Sequence, residues 1–167
     1  MPRYVTEERV AHSADEMLAL VADVEKYPAF VPLCERLVVR GRRTEGAREI
    51  MVADMTIAYA LIRETFTTQV TVDRGASTVA ISYVDGPFEH LDSTWRFTPA
   101  GDHACTVRFV IDYEFRSRLL AAIMGSVFDS AIRKFGDAFR GRADQVYGTA
   151  ADRESVKAAA TAGRPSR

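Results

Sequence analysis

The stretch that most constrains this chain is Ser117–Tyr147, SRLLAAIMGSVFDSAIRKFGDAFRGRADQVY, which reads as one long amphipathic helix. At about 3.6 residues per turn, Leu120, Met124, Val127, Ala131, Phe135 and Phe139 fall on one stripe, with Phe128 and Ile132 beside it. Asp129, Arg133, Asp137, Arg140 and Asp144 fall on the opposite side. Ser117 suits the N-cap, because its hydroxyl accepts an amide proton left over in the first turn. Gly148 suits the C-terminal stop. The first two turns depart from this two-faced pattern. Leu119 and Ile123 lie off the stripe, so that end is apolar nearly all round and needs more cover than one sheet face. Other protein, a ligand or a lipid surface would supply it.

What can such a helix cover? Between Glu35 and Phe115 the sequence alternates apolar and polar residues in runs separated by turn signals. The runs are Glu35–Arg43, Arg48–Leu61, Ile62–Val72, Thr78–Val84, His90–Thr98 and a last one ending at Phe115. In that last run Val107, Phe109, Ile111, Tyr113 and Phe115 alternate with Arg108, Asp112 and Glu114. Asp85-Gly86-Pro87 is a strong breaker. Ahead of these runs, residues 3–12 suit an opening strand, and Ser13-Ala-Asp-Glu16 is a capping box for a helix that Tyr27-Pro28 should stop. Ala29–Cys34 is an apolar connector with a proline at Pro32. The expected class is α+β: an antiparallel sheet of about seven strands wrapped around the C-terminal helix. At 167 residues the chain suits one domain, 1–148, with 149–167 as a frayed helix or disordered tail.

The net charge of −1 argues against a dedicated nucleic-acid binder. Arg40, Arg42, Arg43 and Arg48 make a basic hairpin tip, read first as a solvated sheet edge and second as a site for RNA phosphate or anionic lipid. Cys34 and Cys105 match no metal or redox spacing and read as reduced, structural thiols of a cytoplasmic protein. No run approaches the roughly 18 apolar residues of a membrane span, so membrane contact is expected to be peripheral. His12, His90 and His103 show no ligand spacing, and no metal is expected. There is no nucleophile elbow, phosphate-binding glycine loop or zinc pattern, so no catalytic residue is assigned.

Two segments carry a resemblance. One is Val21-Ala-Asp23-Val-Glu25-Lys-Tyr27-Pro-Ala-Phe30-Val-Pro32-Leu-Cys34. The other is Gly86-Pro-Phe88-Glu-His-Leu91 followed by Trp95-Arg-Phe97. With the strand ending Tyr113-Glu-Phe115 and the phenylalanine-bearing helix, they resemble the coenzyme Q-binding branch of the START-like (polyketide cyclase/dehydrase and lipid-transport, SRPBCC) superfamily. That branch includes bacterial ribosome-association toxins. The resemblance implies a helix-grip fold that buries ubiquinone or a related isoprenoid lipid, tail included, between sheet and helix. It needs no cofactor beyond that ligand.

On this reading the ligand-binding residues are Phe30, Val31 and Leu33 at the lip, and Tyr83, Trp95, Phe97, Phe109 and Tyr113 on the sheet. Met124, Phe128, Ala131 and Phe135 come from the helix. A tyrosine hydroxyl is the expected partner for a quinone carbonyl. Leu119 and Ile123 would dock on the inner membrane, with Phe30 and Val31 on the opposing lip. The branch leaves two functions open, quinone chaperone or blocker of ribosomal subunit joining with the large subunit as partner. A third, aromatic polyketide cyclase, rests on the superfamily name alone. Oligomeric state and isoprenoid length are not encoded in any motif.

Overall fold

The computed structural model describes residues 3–153. Its elements run β1 (Arg3–Val10), α1 (Ala14–Ala22), a 3-10 helix (Val24–Ala29), β2 (Cys34–Glu45), β3 (Arg48–Tyr59), β4 (Ile62–Asp73), β5 (Thr78–Asp85), β6 (Phe88–Pro99), β7 (Cys105–Phe115), α2 (Arg118–Arg133) and α3 (Phe135–Tyr147). The strands form one seven-stranded antiparallel sheet in the order β1-β7-β6-β5-β4-β3-β2. Because β1 and β2 are its opposite edges, α1 and the 3-10 helix must cross the sheet's inner face to join them. Register shifts in β2–β3, at Thr67/Thr68 and at Phe88/His90 interrupt the ladders, the kind of irregularity that bends and twists a sheet locally. The alternation read from sequence becomes burial: in β7 the apolar set Val107–Phe115 is inside and Arg108 and Glu114 are out.

The capping box forms as expected. The Glu16 amide donates to the Ser13 hydroxyl at 3.1 Å, and the Ser13 amide donates to the Glu16 carboxylate at 3.0 Å. Burial alone would raise the Glu16 carboxyl, but the hydrogen bonds with Ser13 and the Arg153 guanidinium outweigh it and hold the group below its usual range. Its contribution to stability is therefore present at neutral pH and fades as pH falls through that lowered value.

Pro28 does not stop α1. The helix ends at Ala22, and Pro28 sits inside the 3-10 helix that follows. There, bonds from the Lys26 amide to Asp23 O and from the Phe30 amide to Tyr27 O ask for no amide proton at position 28. The C-terminal helix is also not continuous. It breaks at Lys134, whose amide is shared between the carbonyls of Ala131 and Ile132. Lys134 and Gly136 both fit a helical pattern, so the periodicity gave no sign of the break. Just past the break Gly136 faces β1, where a Cβ would stand 3.4 Å from the Glu8 carboxylate, an ordinary contact that does not require glycine.

Ordered chain continues past residue 148. Thr149 and Asp152 cap each other reciprocally at 3.0 and 3.1 Å. Arg153 then reaches back to the Ala11 carbonyl, Glu16 and His12 Nδ1. Arginine only donates, so Nδ1 of the buried His12 accepts and its Nε2–H donates to Asp144 at 2.7 Å. The remainder of the expected tail, 154–167, lies outside the described residues.

Candidate functional site: an apolar cavity under the long helix

α1 covers the inner face of β5 and β6 at one end, and α2 packs on β7 at the other. Between them the sheet's inner face, the 3-10 helix and the α2–α3 junction enclose a cavity of about 80 Å³. That is several times the roughly 10–15 Å³ that admits one water. Of the residues expected to bind ligand, Val31, Leu33, Trp95, Phe109, Phe128, Ala131 and Phe135 line it. Leu33 does so with φ at 68°, a left-handed backbone that a leucine adopts only under constraint. The Ala58 amide holds it there through the Leu33 carbonyl at 3.0 Å.

The other five lie elsewhere, each for a packing reason. Phe30 stands outside the wall, against Tyr27 and Phe139 at 5.9 and 5.0 Å, with the Arg142 guanidinium over its ring at 5.5 Å. Tyr83 packs on Phe88, and its hydroxyl accepts the Phe88 amide at 3.1 Å. Phe97 lies beyond Trp95, where α1 covers β6. Tyr113 and Met124 are buried past Phe128 toward the start of α2, and the Tyr113 ring meets Phe128 at 4.7 Å. Burial, with Asp129 adding to it and Arg133 opposing, pushes the Tyr113 hydroxyl up to about 12.

No expected tyrosine therefore faces the cavity. The one tyrosine that lines it is Tyr27, whose hydroxyl already donates to the Val21 carbonyl at 2.5 Å. Burial raises its pKa well above the ordinary value, and the Cys34 thiol and Asp23 add to the shift. Tyr27 is also the only titratable side chain on the wall. Besides Tyr27 and the Trp95 indole, the polar side chains lining the cavity are the hydroxyls of Thr68 and Ser93. Sequence reading passed them over because a lone threonine or serine on an apolar strand face carries no motif. Phe139 was missed as a ligand contact for the opposite reason, since it looked like ordinary core on the stripe.

Burial pushes both thiols, Cys34 and Cys105, up to about 11; a bond to the Arg36 carbonyl opposes this at Cys34, and Glu16 adds to it at Cys105. Both should resist a thiol reagent such as DTNB at pH 8 until the protein unfolds. Reaction of either in the native state within seconds would show that its strand edge opens.

A second feature is an open groove at the start of α2. Leu119 and Ile123 are 71% and 48% exposed, so the Ala29–Cys34 connector does not cover them. Nor do Phe30 and Val31 form the opposing lip. Across the groove stands the β3–β4 turn, with the fully exposed Leu61 and then Ile62, Arg63 and Glu64. Among the described residues no helix is long and apolar enough to cross a membrane.

Comparison with known proteins agrees with this geometry. A profile of the family described as "Polyketide cyclase / dehydrase and lipid transport" matches residues 10–140. The chain is 39% identical over 139 residues to the ribosome association toxin RatA of Vibrio cholerae, covering 83% of this chain and 93% of that one. It is 29% identical over 153 residues to the mitochondrial coenzyme Q-binding protein COQ10 homolog B of Xenopus laevis, covering 90% of this chain and 59% of that protein. A START superfamily protein from Mycobacterium smegmatis shares the fold with a TM-score of 0.71 at 17% identity, covering 86% of this chain and 98% of that one. With seven antiparallel strands closed over a C-terminal helical segment and a profile match across most of its length, the chain belongs to the polyketide cyclase/dehydrase and lipid transport family, in its START-like form.

Proposed function

We propose that the chain is a non-enzymatic carrier of ubiquinone or a related isoprenoid lipid, supporting respiratory electron transport or quinone biosynthesis. The observation that carries this reading is the cavity wall, apolar except for the Thr68 and Ser93 hydroxyls, the Trp95 indole and a Tyr27 phenol already bonded to the Val21 carbonyl, and without a free acid or base. Such a wall is suited to binding and offers nothing to move a proton. Similarity to a protein named for coenzyme Q binding supports it. The cavity is about half the size of an engineered apolar cavity that takes up benzene, roughly 150 Å³. A ring enters when α2 moves outward, and the break at Lys134 separates α2 from α3 for that movement. A polyprenyl tail is too large to be enclosed with the ring, so sequestration covers the head and the tail leaves through the mouth. Solvent extraction of the purified protein and mass spectrometry test the reading: a stoichiometric quinone or prenyl lipid supports it.

The second reading, a ribosome-binding regulator, is favoured by the higher identity to RatA over nearly its full length. The basic hairpin tip lends it little. Arg40 pairs with Asp54, Arg42 with Glu25 and Glu49, Arg43 with Glu45 and Arg48 with Asp73. Such exposed pairs add little stability, yet they cancel the field that RNA phosphates would need. Co-sedimentation with the large ribosomal subunit by a lipid-free protein would favour this reading and count against the first.

Loading from a membrane needs a peripheral contact, and the Leu61–Leu119–Ile123 groove with Arg116 beside it suits the inner membrane's anionic face, whereas Arg63 on its far rim is already paired with Glu35 at 2.6 Å. Burying Leu119 and Ile123 in lipid contributes at most about 1.5–3 kcal/mol each, enough for transient docking. The double variant Leu119→Ser/Ile123→Ser should keep its unfolding free energy within about 1 kcal/mol of the parent, about 0.5 for each exposed position, and bind anionic liposomes more weakly. Equal liposome binding by the variant would move the docking face elsewhere.

A further inference from the structure

Thr68 on β4 and Ser93 on β6 are each only 6% exposed and line the cavity. Neither hydroxyl has a hydrogen-bond partner among the described residues. Their outward-facing neighbours do better: Thr56 bonds Thr65 at 2.8 Å, and Thr67 bonds Asp54 at 2.6 Å. Both hydroxyls open onto the cavity, where only water or a ligand can pair with them, unlike Ser77 Oγ, which is sealed in without a partner; valine or alanine would fill either place without that need. Two such groups on one otherwise apolar wall point to a ligand.

Their spacing says what kind. Ser93 lies opposite Ile81 on β5, and Ile81 lies opposite Val70 on β4. Thr68 is the next inward-facing position along β4 from Val70. The two residues are thus two strands apart and one inward step offset, about 10–12 Å between backbones. With both side chains standing off the sheet in parallel and a ligand in line between them, two hydrogen bonds of about 2.8 Å each leave about 4–6 Å between the atoms they would hold. Resting on the lipid-carrier reading, we infer that Thr68 and Ser93 are the paired polar anchors of the cavity, selecting a ring with acceptor oxygens on opposite edges and holding it head-first against the sheet. The two hydroxyls separate such a ring from a plain hydrocarbon. A ligand that satisfies them replaces the hydrogen bonds water would make there, whereas a hydrocarbon strands both groups.

Calorimetric titration of the purified protein with decylubiquinone and with dodecylbenzene tests this, since the second ligand has a ring and a tail but no oxygen. Thr68→Val and Ser93→Ala should each weaken decylubiquinone binding about threefold to tenfold, the worth of one net hydrogen bond. Dodecylbenzene affinity should hold or improve. The melting temperature of the unliganded variants should stay level or rise, because each loses a hydroxyl that no protein group pairs with. If the parent binds decylubiquinone and the double variant binds it equally well, the anchors are wrong while the carrier reading stands. Parallel loss of both ligands would also overturn the anchors, since shape alone would then decide. If the parent binds neither ligand, the carrier reading fails and this inference with it.

Discussion

Phe88→Ala is expected to cost about 3–5 kcal/mol of folding stability, the upper range for deleting a buried aromatic ring. Phe88 is fully buried, and its ring meets Phe66, Tyr83, Tyr113, Phe115 and Phe128 at centroid distances of 4.8–6.3 Å. These partners come from β4, β5, β7 and α2, so the ring ties β6 to four other elements. Its position depends on Gly86, where φ is 141° and a Cβ would stand 2.5 Å from the Phe66 Cβ. With ordinary domain stability of about 5–15 kcal/mol, losing the ring removes a large share. Urea unfolding checks it: the midpoint should fall sharply with an unchanged slope. A loss under about 1 kcal/mol would mean that the surrounding rings close over the gap, and the cluster would not be the fold's tie.

Ala131→Leu is expected to abolish lipid binding, at least a hundredfold, while leaving the protein folded. Ala131 is buried on α2 and borders the cavity. Three added carbons bury apolar surface worth about 0.8 kcal/mol each, and crowding of a packed core costs about 1–3 kcal/mol. The two nearly cancel, so stability should stay within about 1 kcal/mol. The space itself is lost, because a leucine side chain occupies much of an 80 Å³ cavity. Titration with decylubiquinone and thermal unfolding in parallel give both readouts. A stable variant that still binds would place the ligand outside this cavity.

The sheet was legible because half-buried antiparallel strands write their two faces into the sequence residue by residue, as β7 does from Val107 to Phe115. The Ser13–Glu16 cap was legible for a similar reason, since the motif is its own local hydrogen bonding. The break at Lys134 was not. Both halves keep the same apolar stripe across it, and only the folded chain shows α3 turning onto α1 and β1. The site was legible in part. Trp95, Phe109, Phe128, Ala131 and Phe135 lie where the inward faces of sheet and helix meet. Phe97, Tyr113 and Met124 share those faces but stand further along them, under α1 or toward the start of α2. Periodicity assigns a face and not a position along the cavity. Leu61 could not be paired with Leu119 for the same reason, since only the folded chain sets the β3–β4 turn beside α2. The two hydroxyls show a further limit: what distinguishes Thr68 and Ser93 is that they open onto the cavity with no protein group to bond, which is a property of the fold.

Photolabelling with a ubiquinone analogue carrying a photoreactive group on its ring addresses the central claim most directly. After irradiation and proteolysis, mass spectrometry locates the modified residues. The account predicts labels on the cavity wall, in β6 around Ser93 and Trp95 and in α2 between Phe128 and Phe135, and loss of those labels in Ala131→Leu. Labels confined to the open groove at Leu61, Leu119 and Ile123, unaffected by Ala131→Leu, would contradict it.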